Sequence, residues 1–65
     1  MYRFKENIKI EVNKTKASEV IGISRVYLTD ILNKRKDCTK VVAYCITKFL
    51  DYNAEIKDYF DRIGD

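Results

Sequence analysis

Residues 13–33, NKTKASEVIGISRVYLTDILN, carry the pattern that decides the fold. Ala17 and Ile21 form an apolar face at a spacing of four, and Gly22 interrupts it. A second apolar face begins after Ser24, whose hydroxyl can cap a helix by accepting a free backbone N–H of the first turn. The stretch therefore predicts two short helices joined at a tight corner, which is a helix-turn-helix.

Both predicted helices have recognisable ends. Asn13 or Thr15 can cap the first, and Gly22 can end it because glycine enters the left-handed backbone region without steric cost. The second helix covers residues 24–33. Its inward face is apolar and consists of Leu28, Ile31 and Leu32.

The segment before this motif allows two interpretations. Phe4, Ile8 and Val12 have the spacing of a helix face, although Ile8, Ile10 and Val12 also alternate with charged residues as in a strand. We favour a short helix over residues 5–12. In either form the segment would lay apolar side chains across the two helices that follow.

Two further helices are predicted after the motif. The first covers residues 40–50, KVVAYCITKFL, with Thr39 as its cap. Its core-facing stripe is Val42, Cys45, Ile46 and Phe49. The second covers residues 54–63, AEIKDYFDRI, capped by Asp51 or Asn53. Its stripe is Ile56, Tyr59, Phe60 and Ile63.

Length and composition set limits on what the chain can be. With 65 residues and no proline, it has room for one domain, residues 1–65, and the periodicity predicts an all-α fold of five helices. No apolar run approaches the roughly 20 residues that span a bilayer, and the charged start, MYRFKE, lacks the apolar segment of a signal peptide. We therefore expect a soluble cytoplasmic protein.

The residue types argue against an enzyme or a metal protein. Cys38 and Cys45 are the only cysteines, and there is no histidine. Two thiols without histidine are a poor ligand set for zinc and are more typical of a reduced compartment. Neither a general base of the usual kind nor a glycine-rich phosphate loop is visible. We expect no catalysis, no metal and no cofactor.

The charge is unevenly distributed along the chain. The formal net charge is only +3, yet residues 1–40 hold ten of the Lys and Arg residues against five acidic ones, and residues 41–65 hold three against five. The basic part contains the predicted helix-turn-helix. This distribution suits a protein that meets a polyanion with its N-terminal part.

DNA binding is the hypothesis that the motif raises, with the second helix in the major groove and its first residues nearest the bases. The leading candidates for base contacts lie outside its apolar face: Arg25, Val26, Thr29 and Asn33. Tyr27 is a further candidate, although its ring could equally pack over the corner and present its hydroxyl to a phosphate. Arg25 is the most informative, because a cation in the first turn opposes the helix dipole and is unfavourable for folding. Asp30 is expected to pair with Lys34 at a spacing of four.

Several basic and polar residues are candidates for phosphate contacts. Lys34, Arg35 and Lys36 form the densest basic run, directly after the proposed recognition helix, although such runs also occur as solvated loops. The remaining candidates lie at the starts of the two helices and are Lys14, Lys16 and Ser24.

The motif resembles a known family. Ala17-Ser18, the run IGISR over residues 21–25 and the run LTDILNK over residues 28–34 are similar to the helix-turn-helix of the phage repressor and Cro family, also called XRE-like. The resemblance is specific over about twenty residues. It implies a lambda-repressor-like domain of five helices, operator DNA as ligand and a homodimer on a two-fold operator.

The chain departs from the family pattern at three positions. Lys14 stands where a DNA-contacting glutamine is frequent, Ser18 where alanine is usual, and Lys34 where glycine often ends the helix. The first dozen residues match poorly.

Two classes of function follow from these observations. The first is a sequence-specific double-stranded DNA-binding transcriptional regulator, Cro-like or repressor-like and of a size typical of phage-encoded proteins. It would dimerise through the acidic part around Tyr44, Tyr52 or the fifth helix. The alternative is a protein-binding inhibitor or antitoxin-like adaptor that uses the same scaffold.

Overall fold

The computed structural model describes residues 1–64. Within them, four helices and one two-stranded antiparallel sheet enclose a single apolar core. The elements in chain order are β1 (Tyr2–Phe4), α1 (Lys14–Ile21), α2 (Arg25–Leu32), α3 (Lys40–Leu50), α4 (Ile56–Tyr59) and β2 (Phe60–Arg62). None of the helices within residues 1–64 has the length and apolar character needed to cross a membrane.

The two helices of the predicted helix-turn-helix are confirmed. The side chain of Asn13 caps α1 by accepting from the backbone N–H of Lys16 at 3.1 Å, and Ser24 caps α2 by accepting from Tyr27 N–H at 3.0 Å. Gly22 ends α1 in the left-handed region with a φ of 88°. The corner therefore forms for the reasons that its sequence indicates.

Replacing Gly22 with alanine should test this corner. A Cβ at Gly22 would meet no atom within 4 Å, so the only cost is the left-handed backbone conformation. We expect Gly22→Ala to lower the free energy of unfolding by about 1–2 kcal/mol. Gly22→Asn should cost less, because asparagine tolerates this region. Equal stability of wild type and Gly22→Ala in urea denaturation would contradict the assignment.

The sheet joins the two ends of the described chain and was not predicted. β1 and β2 pair antiparallel, with Phe4 opposite Phe60. On its other side, β1 forms a bridge to Cys38, in which Tyr2 N–H donates to Cys38 C=O at 2.7 Å and Cys38 N–H donates to Tyr2 C=O at 2.8 Å. β1 therefore lies between β2 and the segment that leads into α3.

Ion pairs hold the exposed face of this sheet. The Arg3 guanidinium donates to the Asp37 carboxylate at 2.7 Å, and Lys5 donates to Asp61 at 2.8 Å. The hydrogen bond from Arg3 lowers the pKa of Asp37 below its usual value. Part of the basic N-terminal segment is thus neutralised by acidic residues of the same chain.

The all-α, five-helix prediction is wrong at both ends of the chain. Residues 5–13 are not helical, and the preferred helix over residues 5–12 is absent. Ile8, Ile10 and Val12 are half-buried against the core, so their alternation reflects an extended chain that turns every second side chain inward. The helical spacing from Phe4 was incidental, because Phe4 belongs to β1.

The predicted fifth helix is also wrong beyond its first turn. Only Ile56–Tyr59 are helical, and their N-cap residue is Glu55 in place of the expected Asp51 or Asn53. The backbone N–H of Glu55 donates to the Asp58 carboxylate at 2.8 Å. Phe60 then takes an extended conformation and pairs with β1. The sequence after Tyr59 has helical periodicity, but backbone pairing and aromatic packing in the sheet stabilise a strand there instead.

The helix over residues 40–50 is confirmed as α3, although its buried face is shifted. Its fully buried residues are Ala43, Ile46 and Thr47. Val42, Cys45 and Phe49, which were predicted to face the core, are only half-buried. α3 packs against both α1 and α4.

Both cysteines are free thiols in different surroundings. Cys38 is fully buried, and burial raises the pKa of its thiol to about 11. Cys45 is half-buried on α3. Within residues 1–64, no group of three or more His, Cys, Asp or Glu side chains is placed to hold a metal ion.

Candidate nucleic-acid interface

The outer face of α2 presents most of the predicted base-contacting residues together. At about 100° per residue, Arg25, Val26, Thr29 and Asn33 fall within about 100° of the helix circumference. Arg25, Val26 and Asn33 are exposed, and Thr29 is half-buried between them. The opposite side of α2 is closed by the core residues Leu28, Ile31 and Leu32.

Arg25 lies at the first turn of α2 and reaches back to α1. Its Nη1 donates to Thr15 Oγ1 at 3.3 Å, and the side chain is otherwise exposed. One long hydrogen bond leaves most of the guanidinium donors available, since arginine has five N–H groups. The bond extends the side chain across the open side of the two helices instead of folding it onto α2.

Val26 and Tyr27 differ in how far they are available. Val26 is 71% exposed, as is Val41 at the start of α3. Tyr27 is half-buried and lies on the core side of the corner, and the Lys36 ammonium is 5.9 Å from its ring centroid. Tyr27 therefore packs under a lysine, and its ring is not part of the exposed face of α2.

The expected pairing of Asp30 with Lys34 is wrong. Asp30 faces Arg35, with 3.8 Å between Oδ1 and Nη1, and the backbone N–H of Arg35 donates to Asp30 C=O. Lys34 instead turns to the other side of the chain. The reason is its backbone, whose φ of 64° ends the helix at this point and redirects the side chain.

Lys34 points towards the N-terminal segment. Its ammonium donates to Ile8 C=O at 3.2 Å and lies 5.6 Å from the centroid of the Phe4 ring. A left-handed conformation costs a residue other than glycine about 1–2 kcal/mol. The position therefore has a backbone that glycine adopts without this cost, and this chain has a lysine there.

The basic run over residues 34–36 does not act as one patch. Lys34 faces the N-terminal segment, Lys36 lies over Tyr27, and Arg35 remains 71% exposed at its side chain. Of the candidates at the helix starts, Lys16 is exposed and Lys14 is half-buried. The Ser24 hydroxyl accepts from Tyr27 N–H and keeps its own proton free to donate.

A cavity of about 230 Å³ lies beside the end of α2, and we call it the lysine pocket. Its walls come from the N-terminal segment, the first residue of α1 and the end of α2, and consist of Phe4, Ile8, Lys9, Ile10, Lys14, Leu32, Asn33 and Lys34. Sequence reasoning missed Lys9. The strand-like alternation of residues 8–12 was the one feature of the sequence that could have identified Lys9. In an extended segment, Ile8 and Ile10 point to one side and Lys9 to the other.

A second, apolar groove of about 410 Å³ lies between α1 and α3. It is lined by Val20, Ile21, Tyr44, Cys45, Lys48 and Phe49. Val20 and Tyr44 are 65% and 53% exposed, and Tyr52 nearby in sequence is 80% exposed. Lys48 is engaged within the chain, because its ammonium donates to the carbonyl groups of Tyr52 and Ala54.

Comparisons of the chain with models of known protein families, with curated proteins and with solved structures find no match.

Proposed function

We propose that this chain is a sequence-specific double-stranded DNA-binding regulator that places α2 in the major groove. The observation that supports it most is the exposed face of α2. Arg25, Val26 and Asn33 lie outside the core on this face, while the buried residues of the opposite face pack into the core. A helix fits the major groove, where base pairs are distinguishable by their donors, acceptors and methyl groups.

The side chains on this face suit base recognition. Arginine can bind guanine through two parallel hydrogen bonds, and an exposed valine can contact a thymine methyl group. Thr29 and Asn33 add hydroxyl and amide groups farther along α2. Tyr27 contributes at most its hydroxyl group, since its ring is packed under Lys36.

Phosphate contacts would fix α2 in the groove. Lys16 and Arg35 are exposed candidate cations on either side of α2, and Lys14 stands at the positive end of α1. Lys36 is exposed beside Tyr27, and Ser24 can donate its hydroxyl proton to a phosphate. Lys34 would act from the lysine pocket.

The regulator would work as a homodimer in the cytoplasm, on an operator with half-sites about 10 bp apart centre to centre. The apolar groove with Tyr44 would meet the same groove of a second copy.

The salt dependence of binding tests the proposal. We expect the affinity for duplex DNA to fall steeply with salt, with log K changing by about −0.9 per phosphate neutralised against log salt concentration. Fluorescence anisotropy of a labelled duplex measures this slope. Failure to bind any duplex, even well below 0.15 M salt, would contradict DNA binding.

The apolar groove favours one alternative function, that of a protein-binding inhibitor or antitoxin-like adaptor. Under that proposal the groove would bind a different protein and the chain would not retain DNA at about 0.15 M salt. Sedimentation of the pure protein, together with the DNA-binding measurement, distinguishes the regulator from the adaptor. A concentration-dependent dimer whose DNA binding needs both copies supports the regulator, and a stable monomer without DNA affinity favours the adaptor.

A further inference from the structure

The lysine pocket carries positive charge that the chain does not balance. Lys9, Lys14 and Lys34 line it, and no carboxylate does. Four ion pairs are present within residues 1–64, and none of them includes these three lysines. Three lysines that line one small cavity favour a multiply charged anion over a neutral or cationic ligand.

Lys34 is held in place at this pocket. Its ammonium donates to Ile8 C=O at 3.2 Å, which uses one of its three N–H donors and leaves two. The same ammonium makes a cation–π contact with the Phe4 ring, at 5.6 Å from the ring centroid. A fixed donor loses little side-chain entropy when an anion binds, which makes the site pre-organised.

The backbone at Lys34 points the same way. The left-handed φ of 64° is strained for lysine and would be relaxed for glycine. This conformation closes the end of α2, where Arg35 N–H donates to Asp30 C=O at 2.8 Å. Here the strained residue is the one that places an ammonium in the cavity.

The remaining walls complete an anion site. Lys14 begins α1, so the positive end of that helix dipole borders the cavity. Asn33 belongs both to the pocket and to the exposed face of α2. An anion bound here would therefore lie directly beside the edge of the proposed groove-reading face.

We propose that the lysine pocket binds one phosphate group through Lys9, Lys14 and Lys34. Which molecule carries this phosphate rests on the proposed function. In a DNA complex it is a backbone phosphate that flanks the bases read by α2. The same chemistry would accept inorganic phosphate or the phosphate of a free nucleotide. The two sources are separable by experiment.

The first arm of the test uses duplex DNA. Lys9→Gln removes one ammonium from the pocket without touching the contacts of Lys34 to Ile8 and Phe4, so the fold should be retained. We expect it to reduce the slope of log K against log salt by about 0.9. Lys57→Gln is the matched control, because Lys57 carries the same charge on α4, away from the pocket, and should leave the slope unchanged.

The second arm uses inorganic phosphate alone, in ¹H–¹⁵N NMR spectra at constant ionic strength with chloride as the reference. We expect saturable shifts at the amides of Lys9, Lys14 and Asn33, which Lys9→Gln abolishes and Lys57→Gln does not. This arm needs no DNA. If the chain binds no duplex while phosphate titrates these amides, the DNA proposal fails and the pocket proposal stands with a free phosphate as ligand.

The remaining outcomes are equally decisive. A slope change specific to Lys9→Gln without a response to free phosphate supports a backbone phosphate as the ligand. Equal slopes for Lys9→Gln and Lys57→Gln, together with no saturable shift from phosphate, overturn the pocket proposal even if wild-type protein binds DNA.

Discussion

Replacing Phe4 with alanine is expected to remove about 3–5 kcal/mol from the free energy of unfolding. A domain of this length has a total stability of about 3–10 kcal/mol, so the variant should be largely unfolded or close to it at 25 °C. The large effect follows from the position of Phe4. It is 1% exposed, and it is the one β1 residue that lies in the core cluster.

The neighbours of Phe4 explain why its loss cannot be absorbed. Its ring meets Phe60 edge-on at 5.3 Å between centroids and lies stacked with Tyr59 at 6.3 Å. It also supports the Lys34 ammonium that ties α2 to the N-terminal segment. Truncation would open a cavity between the sheet and α2 that neither element can close without breaking the β1–β2 pairing.

Urea denaturation followed by circular dichroism measures this effect. Tyr52→Ala is the matched control, because it also truncates an aromatic residue but one that is 80% exposed, and it should change stability by well under 1 kcal/mol. Phe4→Leu should fall between the two. If Phe4→Ala were no less stable than Tyr52→Ala, the sheet would not be part of the folded core.

Arg25→Ala is expected to remove the preference for one base pair at one position of each half-site. A bidentate arginine–guanine contact contributes about 1–3 kcal/mol of discrimination, which corresponds to about 5- to 150-fold in relative affinity. The fold should not suffer. Arg25 is exposed, and its charge at the start of α2 opposes the helix dipole.

Two further variants separate the role of the charge from the role of the contact. Arg25→Lys keeps the charge but loses the paired donors, so the salt dependence should remain while the base preference falls. Thr15→Val removes the 3.3 Å hydrogen bond from Arg25 without changing any charge. Competition between duplexes that differ at one base pair reports each effect. A preference unchanged in Arg25→Ala would remove Arg25 from the recognition face.

The sequence was sufficient for the helices whose signals are local. Ser24 and Thr39 cap the helices that they were expected to cap, and of the two candidates for α1, Asn13 and Thr15, it is Asn13 that caps the helix. Gly22 ends α1 in the left-handed region. These outcomes depend on a few neighbouring residues, and short-range geometry decides them.

The two ends of the chain were not predictable in the same way. β1 and β2 have only three residues each, and each forms because the other is there, about sixty residues away along the chain. Residues 60–63 continue the helical spacing of the preceding residues, and their local sequence alone does not show that they form a strand. Pairing across the sheet decided against the helix.

The candidate site shows the same division. The exposed face of α2 follows from its helical phase, so Arg25, Val26 and Asn33 were correctly expected to be exposed. The lysine pocket depends on packing between distant parts of the chain, because Lys9 and Lys34 are far apart in the sequence and both line it. The segment that contains Lys9 had been assigned to a helix, and this lysine was therefore overlooked.

Selection of bound sequences from random duplex DNA tests the central proposal most directly. We expect an enriched motif with two-fold symmetry, half-sites about 10 bp apart and a guanine whose enrichment disappears with Arg25→Ala. The same selection with wild-type protein yielding no enriched sequence would contradict sequence-specific DNA binding by this chain.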